Sequence, residues 1–401
     1  MTDEPKKLDI TTQLVHAGKV NSEDFEPVTT PIYPSVTFTF DSMKELDSVL
    51  AGEKNGFTYT RYGNPTIAAL EDTVRIIEDG SFACAYASGM AALHAALFAC
   101  ELAPGSTVLA SQDLYGATTN LLLNVFGSFG VKTVSADFNN LDDLRARVSD
   151  LKPRALVAET ISNPLLKVCD IEAIAEIAHA VGARLVVDNT FASPYLCQPL
   201  SFGADLVVHS ATKYLGGHGD VMGGLVVARD SMDSLALLGV MKLVGGVLGV
   251  VEAHEIRRGL KTLSLRMERQ CENARIIAEH LQSNARVGRV YYPGFVLKDV
   301  GNPAKRVLRQ PYSGALVSIE LTDNTREGAY RFMDALRLCI RSTSLGDVFT
   351  SVLHPVTSSH RDLAPARRKE LGITDGLVRI SVGIESVNDV IADIEQALRK
   401  D

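Results

Sequence analysis

From about residue 61 to about residue 230, short β-branched apolar runs alternate with stretches of helical spacing, and few folds accept that order. The runs are STVLAS, VKTVSADF, RALVAET, RLVVDNT, ADLVVHS and GGLVVAR. Helical stretches such as ALEDTVRIIEDG, MAALHAALFACEL and IEAIAEIAHAVGA come before or between them. A strand–helix alternation of this kind predicts an α/β fold, with a mostly parallel sheet covered by helices on both faces. After about Ala253 the pattern changes to a long amphipathic helical stretch over 254–283. It is followed by strand-like GALVSIEL and VRISVGI and by two more helices, so a smaller C-terminal α+β domain is expected. Residues 1–60 are rich in Pro, Thr and turn formers and read as an extended arm docking on a neighbouring subunit. The expected division is an arm over 1–60, a large domain over 61–253 and a C-terminal domain over 254–401.

Ligands of open parallel sheets sit beyond the carboxyl ends of the strands, and four features are expected there. Ser88-Gly89-Met90 opens a helix: a glycine lets backbone approach a phosphate, and free N–H groups at a helix start bind it. Alone, Ser-Gly is an ordinary N-cap. Asp188 ends the run RLVVD, where a strand-end carboxylate often only caps the next turn. Lys213 follows ADLVVHSAT, with Ser210 and Thr212 beside it. A lone lysine is usually a solvated charge, but burial lowers a lysine's pKa and leaves an amine able to form an imine. Arg379 lies amid the apolar residues of LVRISVGI and needs an anion. A substrate carboxylate would supply a bidentate partner, and an internal ion pair is the alternative. Together, a lysine for an aldehyde, a carboxylate for a ring nitrogen and hydroxyls for a phosphate outline a pyridoxal 5'-phosphate (PLP) site.

Composition narrows the partners. A formal net charge of −8 and a hydrophobic content of 46% fit a soluble globular protein and argue against nucleic acid or an anionic membrane as partner. The charged N-terminus MTDEPKKLDITTQ lacks the apolar core of a signal peptide. The most lipid-like segment, Leu235–Ala253, contains Lys242 and four glycines and is better read as a buried or interface segment than as a membrane span. Six cysteines without CxxC spacing read as reduced, buried thiols, and a cytoplasmic location is expected.

Nearly end to end, the chain resembles the Cys/Met-metabolism PLP enzymes, the group of cystathionine γ-synthase, cystathionine γ-lyase, methionine γ-lyase and O-acylhomoserine sulfhydrylase. The resemblance lies in TYTRYGNP at 58–65, ASGMAA at 87–92, DLYG at 113–116, Glu159-Thr160 with Asn163-Pro164, VDNT at 187–190, HSATKY at 209–214, SLG at 344–346 and VRISVG at 378–383. It implies the PLP-dependent transferase fold of type I, like that of aspartate aminotransferase. It implies that Lys213 holds PLP as a Schiff base and then shuttles protons, and that Asp188 pairs with the pyridinium nitrogen. Ser88, Gly89, Met90, Ser210 and Thr212 would hold the phosphate, joined by Tyr59 and Arg61 from a neighbouring subunit. The protein would then be at least a dimer, with a tetramer usual in the family. Tyr115 would stack on the ring and serve as acid or base, Asn163 would orient the cofactor, and Arg379 with Ser344 would grip the substrate α-carboxylate. The implied reaction is elimination or replacement at Cγ, or at Cβ, of a methionine-, homocysteine- or homoserine-type amino acid. Carbon–sulfur lyase and transsulfuration activity share this machinery.

Residues that set substrate choice depart from the family's usual patterns. Methionine γ-lyases carry a cysteine two positions after the stacking tyrosine, where this chain has Ala117, and Lys-Asp in the segment where Met241-Lys242 falls. Cystathionine enzymes place acidic residues where Thr58 and Phe349 stand here. The string LGD…LHP…SSH over 345–360 is closer to O-acylhomoserine sulfhydrylases. Rival readings are weaker. A nicotinamide oxidoreductase needs GxGxxG order in an opening strand–turn–helix unit, which GGHGDVMGG lacks. A catalytically silent PLP-fold binding protein would be expected to have lost Lys213 or Asp188. His209 and His218 lack the ligand spacing of a metal site, and none is assigned.

Overall fold

The computed structural model describes residues 8–18, 27–296 and 301–399 of the chain. Seven strands form the larger sheet: β1 (Phe82–Tyr86), β2 (Thr107–Ser111), β3 (Lys132–Ala136), β4 (Ala155–Glu159), β5 (Arg184–Asp188), β6 (Leu206–Ser210) and β7 (Gly224–Ala228). Their order is β1-β7-β6-β5-β4-β2-β3. Pairing is parallel from β6 across to β3, and β7 runs antiparallel to both of its neighbours. The expected parallel sheet is therefore present, with one reversed strand inside it.

Near-continuous apolar runs follow from burial on both faces. In β5, Leu185 and Val187 point into one core with Leu156, Val207 and Leu225, while Val186 points into the other with Val157, Val208 and Val226. The helix Gly89–Ala99 covers one face and packs on β6 and β7. The helices Pro65–Ile77 and Ile171–His179 contribute to the opposite core.

β1 was not foreseen. Its sequence, FACAY, is rich in Ala and Cys rather than β-branched residues, and four of its five positions are buried, so neither propensity nor alternation marks it. A second, smaller sheet has the order β10-β11-β12-β9-β8. It is built from β8 (Val287–Tyr291), β9 (Leu316–Leu321), β10 (Ile340–Arg341), β11 (Ser351–Leu353) and β12 (Leu377–Ser381). β9 and β12 match the expected strands; the other three are short or partly exposed and carried no clear signal.

The single helix expected over 254–283 is two, Val250–Leu260 and Leu263–Gln282. The break falls where Gly259 lies so close to the Leu215 and Gly216 carbonyls that no side chain fits. There the Arg266 guanidinium donates to both Gly259 O and Tyr214 O at 2.7 Å.

Within the arm, Ile10–His16 is a helix whose Ile10 and Leu14 enter the large core, and Arg257 holds its end through the Ala17 and Gly18 carbonyls. Residues 1–7 and 19–26 of the arm lie outside the described residues. The Leu235–Ala253 segment contains the helix Ser234–Val244, closed by Gly245 at φ 85°. Leu237, Val240 and Met241 are buried on it, while Leu235, Leu243 and Val244 are exposed, so one face packs on the large domain and the other is open at the surface. Among the described residues no helix is long and apolar enough to cross a membrane. All six cysteines are free and buried.

Candidate active site

Parallel strands end on one side of the sheet, and the polar residues that follow them meet there. β4 ends at Glu159 and β5 at Asp188, and these two are register partners. β6 ends at Ser210, opposite Gly224 of β7, which in turn faces Tyr86 at the end of β1. The chain then turns. The Lys213 N–H donates to Ser210 O at 3.1 Å and the Gly217 N–H to Lys213 O at 2.8 Å. The Thr212 hydroxyl bridges the Gly223 N–H and C=O at 3.1 and 3.3 Å. Lys213 is thereby aimed back over the sheet.

These strand ends open into a cavity of about 510 Å³. Ser88, Gly89, Met90, Tyr115, Asn163, Asp188, Ser210, Thr212, Lys213 and Arg379 all line it. Ser344 lies beside it and accepts a 3.0 Å hydrogen bond from Lys213 Nζ. Tyr59 and Arg61 do not line this chain's cavity: Tyr59 is partly exposed and the Arg61 guanidinium donates to Lys242 O. A larger cavity of about 680 Å³, beside Lys167 and Arg289, contains none of the expected site residues.

At the cavity floor Ser88 caps the helix through the Ala91 N–H at 3.2 Å, and the N–H groups of Gly89 and Met90 have no intrahelical acceptor. Gly89 is required by contact: a Cβ there would lie 2.8 Å from Ser210 Cβ. Helix start and Ser210 turn therefore close together as a cradle, of the kind that binds phosphate.

Charge is unevenly matched in this cavity. The Asp188 carboxyl is raised by burial, partly offset by the Thr190 side chain and its N–H at 2.9 Å. Glu159 is raised well above the carboxylate range by burial and by Asp188 beside it, although its oxygens accept the N–H groups of Tyr115 at 2.6 Å and Asn163 at 3.3 Å. The Lys213 ammonium is depressed by burial and by the nearby Arg379 charge. Arg379, 3% exposed, is pulled down to about 10 by burial.

Its Nη1 donates to Asn163 Oδ1 at 2.8 Å and its Nη2 to Ser344 O at 3.3 Å, while Nε has no partner. The ring of Phe191 lies 5.6 Å beneath the guanidinium. A buried guanidinium without a carboxylate partner is costly unless an anion arrives. Among the described residues Asp188 has no ion-pair partner in the cavity, only the more distant charge of His209, and a pyridinium would supply one. The residues present therefore fit PLP.

Glu159 is a site residue to which sequence reasoning assigned no role. The available signal was its place at the end of a strand run, RALVAE, parallel to the one ending in Asp188. His360 lies behind the lining, buried near Arg379 and bonded at 2.9 Å to the hydroxyl of Ser359, which does line the cavity. Phe349 and Thr58 do not line the cavity. His209 is held by Glu78 at 2.5 Å and His218 by Gly216 O at 2.7 Å. Among the described residues no group of three or more His, Cys, Asp or Glu is arranged for a metal ion.

The sequence profile of the Cys/Met metabolism PLP-dependent enzymes matches residues 11–399. The chain belongs to that family. An L-methionine gamma-lyase from Fusobacterium nucleatum is 42% identical over 99% of this chain and 100% of its own length. A cystathionine beta-lyase from Lactococcus lactis is 38% identical over 98% and 99%. The solved structure of a putative O-acetylhomoserine (thiol)-lyase from Campylobacter jejuni, with pyridoxyl-lysine phosphate, superposes with TM-score 0.92 at 27% identity, covering 98% of this chain and 100% of that one. This Cys/Met-metabolism enzyme is thus PLP-dependent and acts in sulfur amino-acid chemistry, and its fold is that of the PLP-dependent transsulfuration enzymes.

Proposed function

We propose that this cavity carries out elimination or replacement at Cγ of an amino acid whose distal substituent is uncharged, such as methionine or an O-acylhomoserine. The observation that carries the reading is the buried Arg379, which has no acidic ion-pair partner among the described residues and shares the cavity with Lys213. A buried guanidinium beside a lysine amine calls for an anionic cofactor and an anionic substrate. When bound, PLP supplies the electron sink for carbanion chemistry next to the amino group.

The roles follow from position. The Gly89 and Met90 amides, Ser88, Ser210 and Thr212 hold the phosphate. Asp188 pairs with the ring nitrogen and Asn163 fixes the orientation of Arg379. Lys213 would hold the cofactor's aldehyde, and its Nζ, a base made available by its depressed pKa, takes the Cα proton. Tyr115 lines the same cavity and delivers a proton to the leaving group. Arg379 and Ser344 take the α-carboxylate.

Substrate side chains then meet Met90, Leu93, Ile161, Met222, Leu345 and Leu353. Among the described residues the only carboxylates lining the cavity are Glu159 and Asp188; Glu159 is engaged by backbone N–H groups and Asp188 is assigned to the ring. A distal ammonium, as in cystathionine, would go unpaired at a cost of about 1–3 kcal/mol.

The remaining assignments rest on sequence pattern and surface. Exposed Leu235, Leu243 and Val244, near the Arg61–Lys242 contact, favour a homo-oligomer in which Tyr59 and Arg61 serve a neighbour's phosphate. The division into 1–60, 61–253 and 254–401 is supported by the larger sheet lying within 82–228 and the smaller within 287–381, and a net charge of −8 with six free cysteines supports a cytoplasmic location.

The test is turnover of L-methionine, of O-acetyl-L-homoserine with sulfide, and of L-cystathionine, with homocysteine and 2-oxobutanoate quantified together. The expected outcome is a higher kcat/KM for either neutral substrate than for cystathionine. Homocysteine in excess marks replacement and 2-oxobutanoate in excess marks elimination. Preference for cystathionine overturns the reading.

A further inference from the structure

Arg379 is not the only buried charge beside Lys213. Asp347, 2% exposed, follows Ser344-Leu345-Gly346, a segment pressed onto the lysine. Ser344 Oγ accepts from Lys213 Nζ, and Gly346, at φ 80°, would bring a Cβ within 2.7 Å of Tyr214 N and 3.1 Å of Lys213 C. Gln270 Nε2 anchors Asp347 through its carbonyl at 2.8 Å. Its carboxylate lies against Gly219, where a Cβ would sit 3.4 Å from Oδ1, and it accepts the Gly219 N–H. Oδ1 is nonetheless left without a hydrogen-bond partner. An ionised carboxylate is rarely buried with an unmatched oxygen unless a nearby charge compensates it.

We propose that Asp347 is a positioning residue for Lys213: its buried carboxylate, packed against the Gly216–Gly219 turn, stabilises a proton on the lysine nitrogen inside a cavity that already holds the Arg379 guanidinium. This rests on the assignment of Lys213 as the cofactor-bearing lysine. The acid–base cycle requires Lys213 Nζ to accept a proton from carbon and to hold it until delivery. Burial and Arg379 both work against that charge, and Asp347 is the acidic group that works for it.

The remaining groups around Asp347 do not take over the task. Arg266 is committed to the Tyr214 and Gly259 carbonyls and the Thr262 hydroxyl. Tyr214 is neutral, held high by burial. Burial raises the Asp347 carboxyl and Lys213 lowers it, lysine and carboxylate each favouring the charge of the other, while His218 and Asp220, on the turn itself, act on Asp347 in opposite directions. Asp188 and Glu159 are engaged elsewhere, as described above.

Asp347→Asn keeps the size of the side chain and an acceptor for Gly219, while removing the charge. The holoenzyme is titrated by visible absorbance, and the midpoint between protonated and unprotonated imine is read. The expected midpoint falls by about one pH unit or more, since a lost opposite charge disfavours the protonated form. kcat falls at least about tenfold while KM changes little, and Asp347→Glu restores the midpoint part-way. An unchanged midpoint in a folded, PLP-loaded Asp347→Asn enzyme overturns the proposal, whatever its activity. If the Asn variant does not fold, Asp347→Ser, which also removes the charge, decides by the same titration: a midpoint lowered from wild type supports the proposal and an unmoved one overturns it. Lys213→Ala separates the two readings. Retention of the imine band there sinks the lysine assignment, whereas its loss together with an unmoved Asp347→Asn midpoint sinks only the Asp347 inference.

Discussion

Arg379, on the smaller sheet, donates a 2.8 Å hydrogen bond to Asn163, which follows β4 of the larger sheet. That bond, with the one from Nη2 to Ser344 O, fixes the guanidinium plane before any substrate arrives. The cost of ordering it is borne in folding rather than in binding, which is what preorganisation means for a carboxylate receptor.

Arg379→Lys is therefore not conservative, because a lysine cannot keep both the Asn163 bond and a forked grip on a carboxylate. kcat/KM for any amino-acid substrate should fall roughly 30-fold or more, following the 2–5 kcal/mol or so lost when a buried charge pair is broken. Visible spectra of the resting enzyme should stay unchanged. Steady-state kinetics with an absorbance scan check both, and an unaltered kcat/KM would remove Arg379 from the binding site.

Gly89→Ala places a methyl group 2.8 Å from Ser210 Cβ, which drives the helix start away from the strand end that completes the cradle. The apparent Kd for PLP should rise at least about tenfold. Fluorescence titration of the apoenzyme measures it. Tight PLP binding by the variant would mean that the phosphate sits elsewhere.

His360 is buried and is pushed down to about 4 by burial and by the Arg379 charge. The sign follows directly. Between about pH 6.5 and about pH 4 the unfolded chain binds a proton that the folded chain refuses, so this contribution is complete above pH 6.5 and disappears as the pH falls through that window. Its full extent is on the order of 3 kcal/mol. Denaturant midpoints at several pH values should drop more steeply on acidification for the wild type than for His360→Gln. Parallel slopes would show that His360 titrates normally.

Arg61 approaches Lys242 O and the rings of Tyr59 and Tyr62 rather than its own cavity. If it serves a neighbour, Arg61→Ala and Lys213→Ala should each be weakly active or inactive alone. Co-refolded, they should regain activity, because a hybrid dimer contains one site with both residues intact. Absence of recovery in hybrids whose mixed composition is verified by native mass spectrometry would place Arg61 outside the site.

The strand ends carrying Asp188, Ser210 and Lys213 were legible because they lie on apolar runs whose periodicity is a local property of the chain. β1 was not, because FACAY is buried on both faces without branching or alternation. The break between Leu260 and Leu263 was hidden for a different reason: it answers to the Gly216 carbonyl packed against Gly259, some forty residues away in sequence.

By itself, the sequence determined the α/β order, the family, and the placing of Asp188 at a strand end, Lys213 just beyond one and Gly89 at a helix start. Spacing, propensity and motif are set by neighbours along the chain. Only the tertiary structure decided that Glu159 stands beside Asp188, that Asn163 and Ser344 steer Arg379, that Asp347 lies behind Lys213, and that Phe349 does not line this cavity. Those relations depend on strand order and on how the smaller sheet docks against the larger, and both arise from long-range packing that no local pattern encodes.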